Sequence, residues 1–213
     1  MRYFYLTIIL FLASGLSSCL LNPICPGGNM REFYLSERVK SWLPDSMLSK
    51  SIKYRSSNGF SESIYRRSFL ENEMNWQSNG RGCDTETEYS SCTFESSYTT
   101  TEIYIRISSY ENEERFSIDF NDFAARFDFS TGSSGSITKA NLFDDTSVRL
   151  ASEWEFLSSI EFNGNVYSDV AKITQVVVEG EVDEHTPEIV FYGKGFGILA
   201  FKQFDGVVWE LDN

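Results

Sequence analysis

From residue 50 onward the apolar and polar positions alternate with a period of two, the signature of strands with one buried face. Ile52-Lys53-Tyr54-Arg55 leads through Asn58-Gly59 and Phe60 into Ser61–Arg67, and Asn-Gly between alternating runs is a strong hairpin signal. Ile103, Ile105 and Ile107 alternate cleanly. Phe116, Ile118 and Phe120 fall on even numbers; Phe123, Ala125, Phe127 and Phe129 fall on odd ones. The change of parity at Asn121-Asp122 requires a bulge or a two-residue hairpin turn, and either keeps the phenylalanines on one face. No i, i+3, i+4 stripe accounts for that spacing. Val148-Arg149-Leu150, Trp154-Glu155-Phe156, Ile160-Glu161-Phe162 and Ile173–Val178 supply further strands, Asn163-Gly164 a second hairpin turn, and Ile189–Tyr192 the start of the closing hairpin. The fold class is mainly β, an antiparallel sheet.

One helical stripe interrupts this pattern. Leu35, Val39 and Trp42 lie at i, i+4, i+7, with Ser36 as a cap and Pro44 as a stop. This short N-terminal helix reads as a lid over one edge of the sheet. It is too short to cover the face shared by Ile103, Ile105, Ile107, Phe116, Ile118, Phe120, Phe127 and Phe129, and large exposed apolar faces are rare. The sheet is therefore expected to curl on itself, with the hairpin Phe191–Leu211 completing it. Ser130–Ser136 reads as a flexible loop and Glu179–Pro187 as an acidic one.

The first residues are of another kind. Arg2 precedes an apolar run that ends near Ser14, too short to cross a bilayer and suited to the core of a secretory signal. Leu16-Ser17-Ser18-Cys19 then resembles the lipobox of bacterial lipoproteins. The resemblance implies that residues 1–18 are a cleaved signal peptide and that Cys19 is lipidated. Residues 19–31, with two prolines and paired glycines, form a lipid-anchored tether, and 32–213 a single β-rich domain. Two or more acyl chains (palmitate among them) anchor stably where one does not. Leu20 after the cysteine points to the cell outer membrane, and the lack of an acidic run behind it favours the periplasmic face.

The chain has 213 residues and a net charge of −13, which lacks the basic footprint of a nucleic-acid binder. With Cys19 assigned to lipid, Cys25, Cys83 and Cys92 remain, an odd number for an oxidising compartment. Cys83 and Cys92 enclose a polar stretch, Asp84–Ser91, as a disulfide-pinned loop does; Cys25 bridging to either is the alternative. No metal and no cofactor is expected: His185 stands alone in an acidic loop, and no CxxC spacing occurs.

The C-terminal third is the most recognisable. Asn163-Gly164 with Tyr167, Asp169 and Val170, then Phe191–Phe201, then Asp205-Gly206 and Trp209-Glu210-Leu211, resembles uncharacterised lipoproteins of the Bacteroidota that carry an NGxxYxDV segment and a closing YxKGxGxxxF…DGxxWxL hairpin. The resemblance implies a curved antiparallel sheet or half-barrel and brings no catalytic residue.

Candidate chemistry is sparse. Gly193-Lys194-Gly195-Phe196-Gly197 is G-x-G-x-G followed by a strand, not the G-x-G-x-x-G that opens a helix under a phosphate. A bent strand hairpin explains it better. Asp144-Asp145 and Glu181–Glu184 lack the spacing of a calcium loop, and no nucleophile motif accompanies His185. The sequence thus predicts a lipid-anchored envelope protein acting as a non-enzymatic binding or scaffold module, with an envelope protein as partner. The rival reading is a carrier or sensor of a small hydrophobic ligand beneath the Trp42 lid.

Overall fold

The computed structural model describes residues 31–44, 51–78, 84–96, 102–111, 113–120, 123–135, 137–140 and 147–212. The expected signal peptide, the lipobox with Cys19, the tether as far as Met30, and Cys25 and Cys83 lie outside the described residues. The chain divides into two compact units. One comprises Met1–Glu32 and Asn75–Glu86; its described residues, 31–32, 75–78 and 84–86, are all strand. The other comprises Phe33–Met74 and Thr87–Asn213. The single domain expected over 32–213 thus leaves out Asn75–Glu86, which groups with the N-terminal residues. All that follows concerns the second unit.

In chain order the elements are β1 (Arg31–Phe33), α1 (Glu37–Lys40), β2 (Ser51–Ser56), β3 (Ser61–Ser78), β4 (Asp84–Ser96), β5 (Glu102–Tyr110), β6 (Glu113–Phe120), β7 (Phe123–Asp128), β8 (Ser133–Ser134), β9 (Ile137–Ala140), β10 (Ser147–Phe162), β11 (Asn165–Glu179), β12 (Pro187–Gly193), β13 (Gly197–Gln203) and β14 (Val208–Leu211). Sheet order is β8-β7-β6-β5-β4-β3-β2-β14-β13-β12-β11-β10-β9. The ladders between these strands are antiparallel. The closing hairpin does complete the sheet, because β14 pairs with β2, Trp209 opposite Ser56.

The sheet curls until its two ends meet. β7 packs against β10 and β11, and β8 against β10. No backbone ladder joins them, so side chains close this seam. The Ala124 N–H donates to Gln175 Oε1 at 3.1 Å, and the Phe127 ring meets Trp154 at 5.2 Å and Phe156 at 5.0 Å. The result is a nearly closed curved sheet with almost no helix.

The period-two faces point inward as expected. Ile103, Ile105 and Ile107 stand opposite Phe120, Ile118 and Phe116, and Ile118 and Phe116 stand opposite Ala125 and Phe127. All are buried. Phe129 sits past the end of β7 and is half-buried against the same core. Phe120 pairs directly with Phe123, which selects the two-residue hairpin over a bulge; the intervening residues lie outside the described range. Asn163-Gly164 is a two-residue turn with both φ angles positive (49° and 76°), as a type I′ hairpin requires.

Three expectations need correction. Asn58-Gly59 does turn the chain, with Gly59 at φ +91°, but the connection spans residues 57–60 rather than two residues, closed by Ser56 N–H to Phe60 O at 2.8 Å. Ser130–Ser136 is not wholly loop: Gly132 N–H returns to Asp128 O, and Ser133-Ser134 pair with β7. The stretch behind Cys83 is no loop at all but strand β4, which runs through Cys92. A strand separates its residues by about 3.3 Å each, the opposite of the ring that a bridge between those positions closes. The Cys92 thiol is free and buried, on the inward side opposite Ile105, so the Cys83–Cys92 disulfide is not formed.

A smaller second cluster of Tyr167, Val170 and Leu199 gathers Leu157, Ile160, Phe162, Phe191 and Leu211. Two irregularities make it. β13 carries a bulge at Leu199, because Phe191 pairs with Ala200 while Tyr192 pairs with Ile198. In β11, Asp169 adopts a positive φ of 54°, and the end of the β10–β11 hairpin laps towards β14, where Asn163 Nδ2 donates to Leu211 O at 2.8 Å.

Candidate functional site

Two places concentrate polar groups against this frame, one at the N-terminal segment and one at the C-terminus. Residues 33–44 form the first. Leu35, Val39, Trp42 and Leu43 are all buried, so the helical stripe is a core face, and α1 itself is a single turn. Ser36 occupies the cap position but its side chain makes no cap bond. Instead its N–H and Oγ–H donate to the two oxygens of Glu114, at 2.5 and 3.0 Å. Glu88, itself buried, accepts Leu35 N–H at 2.7 Å on one oxygen and pairs with Lys40 Nζ at 2.8 Å on the other. That bond to Glu88, aided by its charge and Glu37's, holds the Lys40 ammonium above its ordinary range. Two carboxylates from β4 and β6 thus clamp the segment by satisfying its free backbone donors.

At the other end of the segment Tyr192 Oη donates to Trp42 O at 2.6 Å. Tyr192 is fully enclosed, and burial drives its phenol well above the ordinary range. The Trp42 indole meets Phe116, Phe129, Phe156 and Tyr192 with ring centres 5.6–6.4 Å apart. Phe116 meets Tyr192 at 4.9 Å, and Phe120 meets Phe201 at 4.8 Å. Side chains in mutual contact fill the space enclosed by the curl. Cys92 lies in this interior, and burial pushes its thiol up to about 11, Arg66 opposing.

The second place is a cleft of roughly 180 Å³ lined by Arg55, Ser56, Ser57, Asn163, Val208, Glu210 and Asp212. Arg55 and Lys53 project from β2 onto the same Oδ2 of Asp212, at 3.1 and 3.2 Å. The Asp212 N–H returns to Lys53 O at 2.8 Å. The Lys53 hydrogen bond first, then the charges of Arg55 and Lys53, holds the Asp212 carboxyl below its usual range. A carboxylate so tied is ionised and engaged, whereas a general acid needs a raised value and a free proton. The geometry is that of a clasp fastening the chain end to β2.

The remaining candidates fall apart in space. Gly193–Gly197 is a tight hairpin turn, with Gly193 opposite Gly197 and Phe196 N–H bonded to Gly193 O. Asp144-Asp145 lies outside the described residues. His185 is exposed, its Nδ1 3.1 Å from Asp205 Oδ2. Among the described residues no group of three or more His, Cys, Asp or Glu converges on one point, and no helix is long and apolar enough to cross a membrane. No family model, no curated protein and no solved structure matches the chain. The sequence reading missed Glu88, Glu114, Gln175 and Asp212; each is a lone polar residue in a strand or at a chain end, where no spacing marks it.

Proposed function

We propose that this chain is a lipid-anchored envelope protein, of the kind found in the Bacteroidota, whose curled sheet serves as a non-enzymatic binding or scaffold module. The observation that carries this reading is the filled interior. Trp42, Phe116, Tyr192, Phe120 and Phe201 occupy the volume that a hydrophobic ligand would take, which speaks for the scaffold over the carrier. Recognition then belongs to the outside of the sheet. The lipobox-like Leu16-Ser17-Ser18-Cys19 supports the anchor, and Leu20 a place in the outer membrane facing the periplasm.

The test is metabolic labelling with an alkyne fatty acid in a bacterial host. The wild-type chain should take the label, lose residues 1–18 and sediment with outer membranes. Cys19→Ala should lose the label and either stay as precursor or turn soluble. Equal labelling of both would end the lipoprotein reading.

A further inference from the structure

The edge of β10 offers a surface that this reading leaves unassigned. β10 pairs with β11 along its length, but with β9 only from Ser147 to Leu150. Beyond that, Trp154 and Phe156 face the seam with β7. From Leu157 to Phe162 no strand pairs with the far edge among the described residues.

The register says which groups are free there. Phe162 and Asn165 flank the two-residue turn and form the hydrogen-bonded pair of that hairpin. Hydrogen-bonded and non-hydrogen-bonded pairs alternate along an antiparallel ladder. Even-numbered residues therefore spend their backbone groups on β11, and Leu157, Ser159 and Glu161 turn theirs outward. An open row of donors and acceptors is a template for another strand.

The charge along β10 selects the occupant. Between Leu150 and Phe162 every ionisable side chain is acidic (Glu153, Glu155 and Glu161), and only Glu155 is offset, by Lys172 at 3.1 Å. Glu161 is exposed, opposite the equally exposed Val166. Two copies of the same edge would bring six glutamates together in a chain whose net charge is already −13, a repulsion that disfavours self-pairing. A cationic strand gains where a second copy loses. We infer that the Leu157–Phe162 edge accepts an extended protein segment with lysine or arginine at alternate positions, adding it to the sheet as a further strand. The inference rests on the binding-module reading but not on the lipid anchor.

The probe is the capped, fluorescein-labelled peptide Lys-Val-Lys-Thr-Lys-Val, titrated with the protein and followed by anisotropy. Binding should weaken with added salt, and the matching glutamate peptide should not bind. Ser159→Pro removes only an outward N–H and leaves the β11 ladder intact, a place where a strand edge tolerates proline. It should keep the wild-type melting temperature and weaken the peptide about tenfold. Glu161→Lys should weaken it and flatten the salt dependence. Failure of the lysine peptide to bind the wild type would overturn the inference, as would equal binding of the glutamate peptide or full binding by folded Ser159→Pro. Self-association of the wild type that Ser159→Pro abolishes would assign the edge to a second copy instead. A protein that passes these tests but fails lipid labelling would keep this edge and lose only the anchor.

Discussion

Trp42 meets four rings at once and also lends its carbonyl to Tyr192, so the end of the curl depends on one side chain more than its place beside a single-turn helix implies. Trp42→Ala should cost about 3–5 kcal/mol in denaturant unfolding, the range for large aromatic truncations; a loss below about 1 kcal/mol would make the segment peripheral. Cys92 gives a chemical readout of the same interior. With its thiol pushed up to about 11 and shut from solvent, it should resist iodoacetamide at pH 8 until denaturant is added, and ready alkylation of the native protein would contradict its placement. Asp212 reports on the other end. Its carboxyl titrates below the ordinary 3.8 in the folded chain. The stabilisation it contributes is therefore fully present above that ordinary value and is lost as pH falls through the lower folded value. Carbon-detected NMR titration should place Asp212 below 3.8, and Lys53→Met should raise it. These roles are invisible in the sequence for a simple reason: Glu88, Gln175 and Asp212 act through partners far along the chain, and nothing in their local spacing reveals a distant donor.

The helical stripe and the hairpins were the legible elements, because burial of one face leaves a period that survives in the letters. Val39 at the centre of the stripe is fully buried, and Phe120 opposite Phe123 resolves the parity switch by the shorter route. β3 and β4 were legible only in part. Past Arg67 the run Ser68-Phe69-Leu70-Glu71-Asn72-Glu73 loses its alternation, and Asn72 takes a positive φ of 55° within the strand. Thr87-Glu88-Tyr89-Ser90-Ser91 reads as polar loop because its inward positions are filled by hydroxyls and a carboxylate in place of apolar groups. Glu88 explains that exception, since its carboxylate clamps the N-terminal segment. Glu88→Ala should strand the Leu35 N–H and cost about 1–3 kcal/mol, with faster hydrogen exchange at Leu35, whereas Glu88→Gln should retain most of that protection. At the closing hairpin, an added Cβ on Gly193 would come within 2.9 Å of Leu199 Cδ1. Leu199 is fully buried in the second cluster and has little room to retreat. Gly193→Ala should therefore cost about 1–3 kcal/mol, the usual range for overpacking, and unchanged stability would show that the bulge absorbs the methyl.

At the scale of the molecule, curling solves the covering problem that the pattern poses. A sheet with one aromatic face and a single turn of helix must close on itself, and the strand order achieves this by joining the last strand to β2 and drawing β7 against β10 and β11. The seam is the exception to backbone closure. There Gln175, on a strand whose neighbours Val176, Val177 and Val178 hide its phase, meets the Ala124 N–H with one end of its amide while its Nε2 stays buried without a partner. Such a group costs free energy unless bound, so the seam is the place for the curl to loosen first. The central claim is that the protein's own side chains fill the interior and that binding takes place outside. The direct measurement is titration of the purified domain with a fluorescent fatty acid or bis-ANS, read through quenching of Trp42 and Trp154, with Trp42→Ala beside it. The account predicts no saturable binding by the wild type and the opening of a dye site only when Trp42 is removed. Stoichiometric, saturable binding by the wild type with indole quenching would contradict it and restore the carrier.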